Sequence, residues 1–328
     1  MLSESSTRKM PSSTGRRKLT ITAHTMGRVA DFFIPSFEEL GWEVAVRVPQ
    51  TQYFSALELA EISSGSEVVI IGDDHASEIF FRNGSPHLKL LVKWGIGTDS
   101  IDFHAADRFG VRVRNTPGVF SDEVADLAMA YVLALARQVV AVHIDALEGR
   151  WSQVSGATLA GKTLGIVGFG SIGRAIASRS LAFGMKVAFF DPLFADVIPK
   201  GCMEQSLNEV LKVSDFLMLA CPSTPDTRGM VNSESLGLMK DGSFLINVAR
   251  GDLVVEEDLV AALHSGRLSG VALDVYETEP LPEDSELRQF SNVVLGAHNG
   301  SNTTEGLMRA SSVVADIVIG YSEETRDG

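Results

Sequence analysis

The sequence predicts an α/β fold built as two doubly wound parallel-sheet domains, on three observations. From residue 19 onward, short apolar runs alternate with segments of helical period, the signature of parallel strands covered by helices on both faces. The alternation occurs twice, before and after a long stretch rich in Ala and Leu. The length of 328 residues also suits two domains at roughly 150 residues each.

In the first series Leu19–Thr22, Trp42–Val46, Val68–Ile71, Leu88–Val92 and Val111–Val113 are predicted strands, with helices near 31–40, 55–62, 75–82 and 101–109. Asn115-Thr116-Pro117-Gly118 ends the series, since Pro and Gly together favour a turn. A long helix is then expected from Ser121 to Glu148, stopping at Gly149. Ser121 is its candidate N-cap, and Asp122 and Glu123 suit the dipole of its first turn. Its middle, Leu127–Ala136, is apolar all round, which predicts burial between layers or against a second subunit. The second series places strands near 163–168, 186–191, 215–221, 243–248, 270–274 and 292–296.

Charge and composition exclude several roles. With 28 Lys plus Arg against 42 Asp plus Glu the net charge is −14, and such a field repels nucleic acid and anionic membrane. An anionic substrate must therefore be held by a few local cations and backbone amides. Residues 1–18 run the other way: Arg8, Lys9, Arg16, Arg17 and Lys18 against Glu4 give +4 and leave −18 for the rest. Rich in Ser and Thr and without hydrophobic period, this stretch is expected to be a disordered leader. No apolar signal core follows Arg16-Arg17, and Leu127–Ala136 falls short of the ~20 residues that span a bilayer. Two cysteines, Cys202 and Cys221, make no disulfide framework, which points to a reducing, cytoplasmic setting.

The strand ending at Val167 runs into Gly168-Phe169-Gly170-Ser171-Ile172-Gly173, a predicted helix follows from Arg174 to Phe183, and the next strand ends in Asp191. GxGxxG alone is weak evidence in a chain with 30 glycines. At a strand-to-helix turn, within a βαβ unit of about 30 residues closed by an acid, it predicts a dinucleotide cradle. Gly168 permits the turn, Gly170 lets backbone approach a pyrophosphate, and Gly173 packs helix on strand. The amides of Ser171 and Ile172 would face phosphate oxygens. Asp191 would accept hydrogen bonds from an adenosine ribose and repel a 2′-phosphate, favouring NAD over NADP.

Three further strands end in chemistry-bearing residues: Asn247-Val248-Ala249-Arg250-Gly251, Asp274 to Pro280, and Gly296-Ala297-His298-Asn299-Gly300. Ligands of open α/β sheets bind beyond the carboxyl ends of the strands, so these groups share a face with the glycine turn. An Arg, a Glu and a His beside a nicotinamide suggest reduction of a 2-oxo acid. Arg250 would grip the carboxylate and polarise the carbonyl. His298 would hand a proton to the nascent alkoxide. Glu279 would orient the ring from its other nitrogen and favour its charged form. Each residue alone is ordinarily structural or solvated; their combination with the cradle is what signifies. The remaining histidines lack metal-ligand spacing, and no metal is expected.

On these residues, together with Gly95-Ile96-Gly97-Thr98-Asp99-Ser100-Ile101-Asp102 and Asn115 to Gly118, the chain resembles the D-isomer-specific 2-hydroxyacid dehydrogenase family, nearest its D-3-phosphoglycerate dehydrogenase branch. The resemblance runs from about residue 19 onward. It implies Arg250, Glu279 and His298 as the catalytic set. It implies NAD contacts from Gly168, Gly170, Ser171, Ile172, Gly173, Asp191, Cys221, Pro222, Thr227, Val248, Ala249, Arg250, His298, Gly300 and Ser301, with Asp274 at the carboxamide. The amides around Ile96 and Gly97 would bind the substrate carboxylate with Arg250 and His298. It further implies a flavodoxin-like substrate-binding domain over 19–116 and 300–328, an inserted Rossmann NAD-binding domain over 117–299, and a homodimer contacting through the Ser121–Glu148 helix.

Some positions depart from the family's pattern. Gly72-Asp73-Asp74-His75 stands where phosphoglycerate dehydrogenases often carry phosphate-binding arginines, and two carboxylates there would repel a phosphate; Lys93 is a candidate substitute cation. Ala220 replaces a frequent His, and Asn299 an apolar residue. The chain ends at Gly328, ahead of the regulatory domain of many serine-pathway enzymes, so feedback through one is not expected. The expectation is an NAD-dependent oxidoreductase of small 2-oxo and D-2-hydroxy acids of the 3-phosphoglycerate, hydroxypyruvate or glyoxylate type. The competing reading is an NAD-sensing corepressor-like binding protein with the same fold and residues.

Overall fold

The computed structural model describes residues 17–50 and 53–326, and the chain divides into two units, Met1–Pro117 with Met308–Gly328, and Gly118–Leu307. Most of the expected leader lies outside the described residues. Its last two residues belong to the fold instead: β1 (Arg17–Ile21) begins two residues ahead of expectation. Arg17 is drawn in by its partners. It donates to both Glu67 oxygens at 3.0 and 2.7 Å, and its guanidinium lies 4.1 Å from the Trp42 ring centroid, a cation–π contact.

The first unit follows with α1 (His24–Gly27), α2 (Ala30–Glu39), β2 (Trp42–Val46), α3 (Ala56–Ile62), β3 (Val68–Ile71), α4 (Glu78–Gly84), β4 (Leu90–Lys93), α5 (Phe103–Arg108) and β5 (Arg112–Arg114). The strands are parallel in the order β2-β1-β3-β4-β5, the flavodoxin-like order. Every residue of β3 and β4 is buried, which explains the unbroken apolar runs Val68–Ile71 and Leu90–Val92; Lys93 closes β4 as a buried cation. Ser55 and Glu58 form a capping box on α3, and Asp102 caps α5 by accepting from Ala105 N at 2.9 Å. The chain's last helix, Thr304–Glu324, is tied into this unit by Trp94 Nε1, which donates to Ser311 Oγ at 3.0 Å, and Trp42 Nε1, which donates to Ser322 Oγ at 2.8 Å.

The second unit holds α6 (Ser121–Arg137), α7 (Val139–Leu147), β6 (Thr163–Val167), α8 (Ser171–Ala182), β7 (Lys186–Phe190), β8 (Cys202–Glu204), α9 (Leu207–Val213), β9 (Phe216–Leu219), α10 (Ser233–Leu238), β10 (Ser243–Asn247), α11 (Glu256–His264), β11 (Leu268–Leu273) and β12 (Val293–Leu295). Seven parallel strands run β12-β11-β10-β9-β6-β7-β8. The order reverses between β6 and β9, and at such a switch point the carboxyl ends open a crevice. Apolar layers cover both faces, α6 and α8 on one and α9 to α11 on the other.

The single helix expected over 121–148 is corrected to two. Gln138 adopts a left-handed backbone, φ 53° and ψ 37°, and α7 departs from α6 by 66°. Ser121 is the first helical residue rather than the cap, a place taken by Phe120. The burial expected for Leu127–Ala136 holds within α6, whereas α7 has no buried residue and exposes Val139, Ile144 and Leu147. Among the described residues no single helix is long and apolar enough to cross a membrane.

Candidate active site

The glycine turn joins β6 to α8, with Gly170 as the N-cap residue and Ser171 and Ile172 opening the helix. The three glycines stand in different surroundings. Gly168 has φ +92°, and a Cβ on it would lie 2.6 Å from Cys221 N. A Cβ on Gly173 would lie 2.1 Å from Gly168 O, so α8 packs directly onto the turn. Gly170 meets nothing within 4 Å: the fold does not use its bareness, whereas a pyrophosphate approaching the helix N-terminus would. Asp191, just past β7, accepts from Phe169 N at 2.8 Å and Leu193 N at 2.9 Å. Those amides fix its carboxylate beside the turn, with lone pairs left for ribose hydroxyls. These features fit a dinucleotide.

Cys221 follows β9 and packs against Gly168. Burial, aided by the Asp191 charge, pushes its thiol up to about 11, which disfavours the reactive thiolate. Pro222 is exposed and is held by Thr227, whose hydroxyl donates to Pro222 O at 2.8 Å. Thr227 Oγ1 also accepts from Thr224 N at 2.8 Å; it shapes this turn.

Strands β10, β11 and β12 are neighbours in register, and the three chemical stretches leave from their carboxyl ends. Asn247 is fully buried; its side chain donates to Arg250 O at 2.8 Å and accepts from Ala249 N at 3.0 Å, moulding the Val248–Arg250 turn. Arg250 Nη1 donates to Ala249 O at 2.7 Å. The next loop carries Glu279, whose Oε1 accepts from Tyr276 N at 3.0 Å. Its Oε2 lies 2.8 Å from His298 Nδ1, with side-chain exposures of 17 % for Glu279 and 31 % for His298. A carboxylate on Nδ1 fixes the ring's orientation and its tautomer.

His298 itself has φ 49°, a left-handed conformation costing roughly 1–3 kcal/mol in a residue with a side chain. Asp274 offsets that cost. Its carbonyl accepts from His298 N at 2.7 Å, its Oδ1 from Asn299 N at 3.0 Å, and its Oδ2 from Gly300 N at 2.9 Å. Expected at the carboxamide, Asp274 is 2 % exposed, and its side chain clamps the His298 turn from within. Gly300 is buried and Ser301 half-buried just beyond it. Tyr276 braces the same loop, donating to Gly296 O at 2.7 Å. Sequence reasoning assigned no role to Asn247 or Tyr276. Their only signal was membership of the motif strings.

Ile96 and Gly97 belong to the first unit, half-buried on the loop after β4. That loop is pinned to the Asn115-Thr116 turn: Gly95 N donates to Thr116 Oγ1 at 3.0 Å and Asn115 Nδ2 to Ile96 O at 2.8 Å. Two separate sequence markers are thus one local structure. Asp73 and Asp74, expected as a phosphate-repelling pair, stand in different settings. Asp74 is buried and accepts from Thr22 Oγ1 at 2.7 Å, Phe54 N at 2.7 Å and Gly72 N at 3.1 Å, while Asp73 pairs with the buried Lys93 ammonium at 2.7 Å.

A cavity of about 470 Å³ lies at the amino ends of the second sheet, lined by Leu135, Lys162, Phe216, Ser243 and Ser269 among others. None of the expected site residues lines it.

Residues 129–300 match the family described as D-isomer specific 2-hydroxyacid dehydrogenase, NAD binding domain. The chain is 38 % identical over 258 residues to a hydroxypyruvate reductase of Thermotoga maritima, covering 77 % of this chain and 83 % of that protein. It is 36 % identical over 296 residues to a glyoxylate reductase of Pyrococcus furiosus, covering 87 % and 86 %. A D-3-phosphoglycerate dehydrogenase of Synechocystis is 34 % identical over 91 % of this chain, which spans 54 % of that longer protein. Among solved structures, D-lactate dehydrogenase from Aquifex aeolicus, complexed with NAD and lactic acid, superposes with a TM-score of 0.80 at 28 % identity, covering 95 % of this chain and 97 % of that one.

Proposed function

Because the chain belongs to the D-isomer specific 2-hydroxyacid dehydrogenase family and is an NAD-dependent enzyme, we propose that it interconverts a small 2-oxo acid and its D-2-hydroxy acid with His298 as the acid–base residue. Hydroxypyruvate and glyoxylate, named in the relatives of similar length, are the first candidates. The observation that carries the reading is the 2.8 Å contact between His298 Nδ1 and Glu279, on the loops beside Arg250 and the glycine turn.

Bound NAD supplies or takes the hydride; the rest is done by this chain. Arg250 binds the substrate carboxylate and draws electron density from the carbonyl through its planar fork. In reduction, His298 Nε2 gives its proton to the forming alkoxide, and in oxidation it takes the hydroxyl proton back. Glu279 holds Nδ1–H throughout and stabilises the charged ring. Asp191, with its two amide donors, selects a ribose over a 2′-phosphate. Ser171, Ile172, Val248, Ala249, Gly300 and Ser301 line the cofactor, and Cys221, Pro222 and Thr227 form its far wall.

The exposed apolar residues of α7 and the exposed Trp151 support a homodimer through this arm, which light scattering of Leu147→Glu against the native protein would test. Two cysteines that form no disulfide support a cytoplasmic setting.

The decisive assay is NADH and NADPH oxidation against a panel of 2-oxo acids, phosphorylated and not. NADH-dependent reduction of glyoxylate or hydroxypyruvate is expected, with His298→Ala at least about 100-fold slower. Full activity in that variant would overturn the mechanism. Tight NADH binding with no turnover on any oxo acid would instead favour a binding protein.

A further inference from the structure

Three successive amides of the His298 turn end on Asp274, one on its main-chain oxygen and one on each carboxylate oxygen. Something must hold Asp274 in turn. Tyr131, on α6, donates its hydroxyl to Asp274 Oδ1 at 2.9 Å. Its ring is buried in the layer between α6 and the sheet. Gly296 lets the two groups meet: a Cβ there would lie 2.1 Å from the Tyr131 hydroxyl and 2.4 Å from Asp274 Oδ1.

A phenylalanine would fill the same volume without bringing a hydroxyl into an apolar layer, where a polar group is tolerated only with a partner. The bond to a carboxylate is of the strong, charge-assisted kind. The hydroxyl also remains a donor at any working pH, since burial foremost, and then the Asp274 charge, raises its pKa far beyond the ordinary value.

We propose that Tyr131 is a positioning residue for the proton donor: its hydroxyl fixes the Asp274 carboxylate, and the fixed carboxylate sets the angle at which His298 meets Glu279 and presents Nε2 to substrate. The inference rests on the acid–base role proposed for His298, and its test separates the two.

Tyr131→Phe keeps the ring and removes one hydrogen bond. With a 2-oxo acid that the native protein reduces, kcat should fall about tenfold with KM changed less than twofold, as expected for a donor displaced by a fraction of an ångström. In a His298→Ala background the same substitution should cost less than a further twofold, because it acts through the imidazole. Tyr131→Leu, which removes the ring along with the hydroxyl, should show the same dependence on His298. Independently of turnover, the Nδ1–H proton resonance of His298, held downfield by Glu279, should broaden or vanish in Tyr131→Phe. Equal losses in both backgrounds, or a native rate with an unchanged resonance, would overturn the proposal and leave Tyr131 as core packing. If the native protein reduces no 2-oxo acid, the functional reading fails by itself, and the resonance comparison still decides the role of Tyr131.

Discussion

Gly251 closes the Arg250 turn against the backbone of the loop that carries Glu279. A Cβ on it would lie 1.9 Å from both the carbonyl carbon and oxygen of Tyr276, and 2.4 Å from Glu277 N. Ordinary contact begins near 3.4 Å, so from 1.9 Å the two segments must part by about 1.5 Å. The clashing atoms are main chain, and no rotamer change relieves them. Arg250 precedes Gly251 directly, while Glu279 accepts from Tyr276 N and reaches His298. One methyl group therefore pushes Arg250, the proposed substrate clamp, and Glu279, the partner of the proposed proton donor, apart. A misplacement near 1 Å costs about 100-fold in rate, and overpacking typically about 1–3 kcal/mol in stability. Gly251→Ala should thus reduce kcat/KM by about two orders of magnitude or more. Its melting temperature should fall by only about 2–12 °C at roughly 2–4 °C per kcal/mol. Gly320→Ala is the control: it lies in the last helix with nothing within 4 Å, and should gain about 0.5–1 kcal/mol. Calorimetry and NADH oxidation read both variants. A Gly251→Ala protein with lowered melting temperature and native kcat/KM would refute the claim that the two loops share one geometry.

Three other outcomes follow from the same kind of reading. Gly170→Ala, whose methyl meets nothing in the protein, should lower the melting temperature without cofactor by only about 2–4 °C, the cost of Ala at an N-cap, while weakening NADH binding about tenfold by fluorescence titration; unchanged affinity would remove the pyrophosphate from that turn. The Cys221 thiol, raised from 9.0 to about 11, keeps its proton where the unfolded chain has lost it. Its contribution to stability should therefore be full below about pH 9 and decline between about 9 and 11 by up to ~1.4 kcal/mol per unit. Urea melts of Cys221→Ala should show a shallower decline than the native protein over that window, the remainder belonging to the buried tyrosines, and the native thiol should react with iodoacetamide about 100-fold more slowly than Cys in the unfolded chain. Arg17→Ala loses both the Glu67 ion pair and the Trp42 contact. It should cost about 1–2 kcal/mol, with Tyr321 left to hydrogen-bond Glu67 alone; an unchanged urea midpoint would show that β1 needs no anchor at its first residue.

How far the sequence discloses this protein depends on where the cause of each feature lies. Strands buried on both faces, such as β3 and β9, are unbroken apolar runs, because every one of their side chains meets a helix layer. The edge strand β8, three residues without a buried one, has no such pattern and went unseen. The break at Gln138 also left no trace, since neither Gly nor Pro marks it and an apolar helix runs up to each side. The same division governs the site. Arg250, Glu279 and His298 are legible because polar groups at the ends of buried strands have no structural reason to cluster there. Tyr131 sits inside the apolar run Leu127–Ala136, where an aromatic residue looks like core, and its partner Asp274 is 143 positions away. Local pattern reveals what touches solvent or substrate; the groups that aim those residues are defined by pairings that exist only once the chain has folded. A variant survey confined to the recognisable motifs would therefore find the groups that react and miss the groups that place them. In this fold the latter are Tyr131 above Asp274, Asn247 beneath the Arg250 turn, and the bare Cα of Gly251 between two loops.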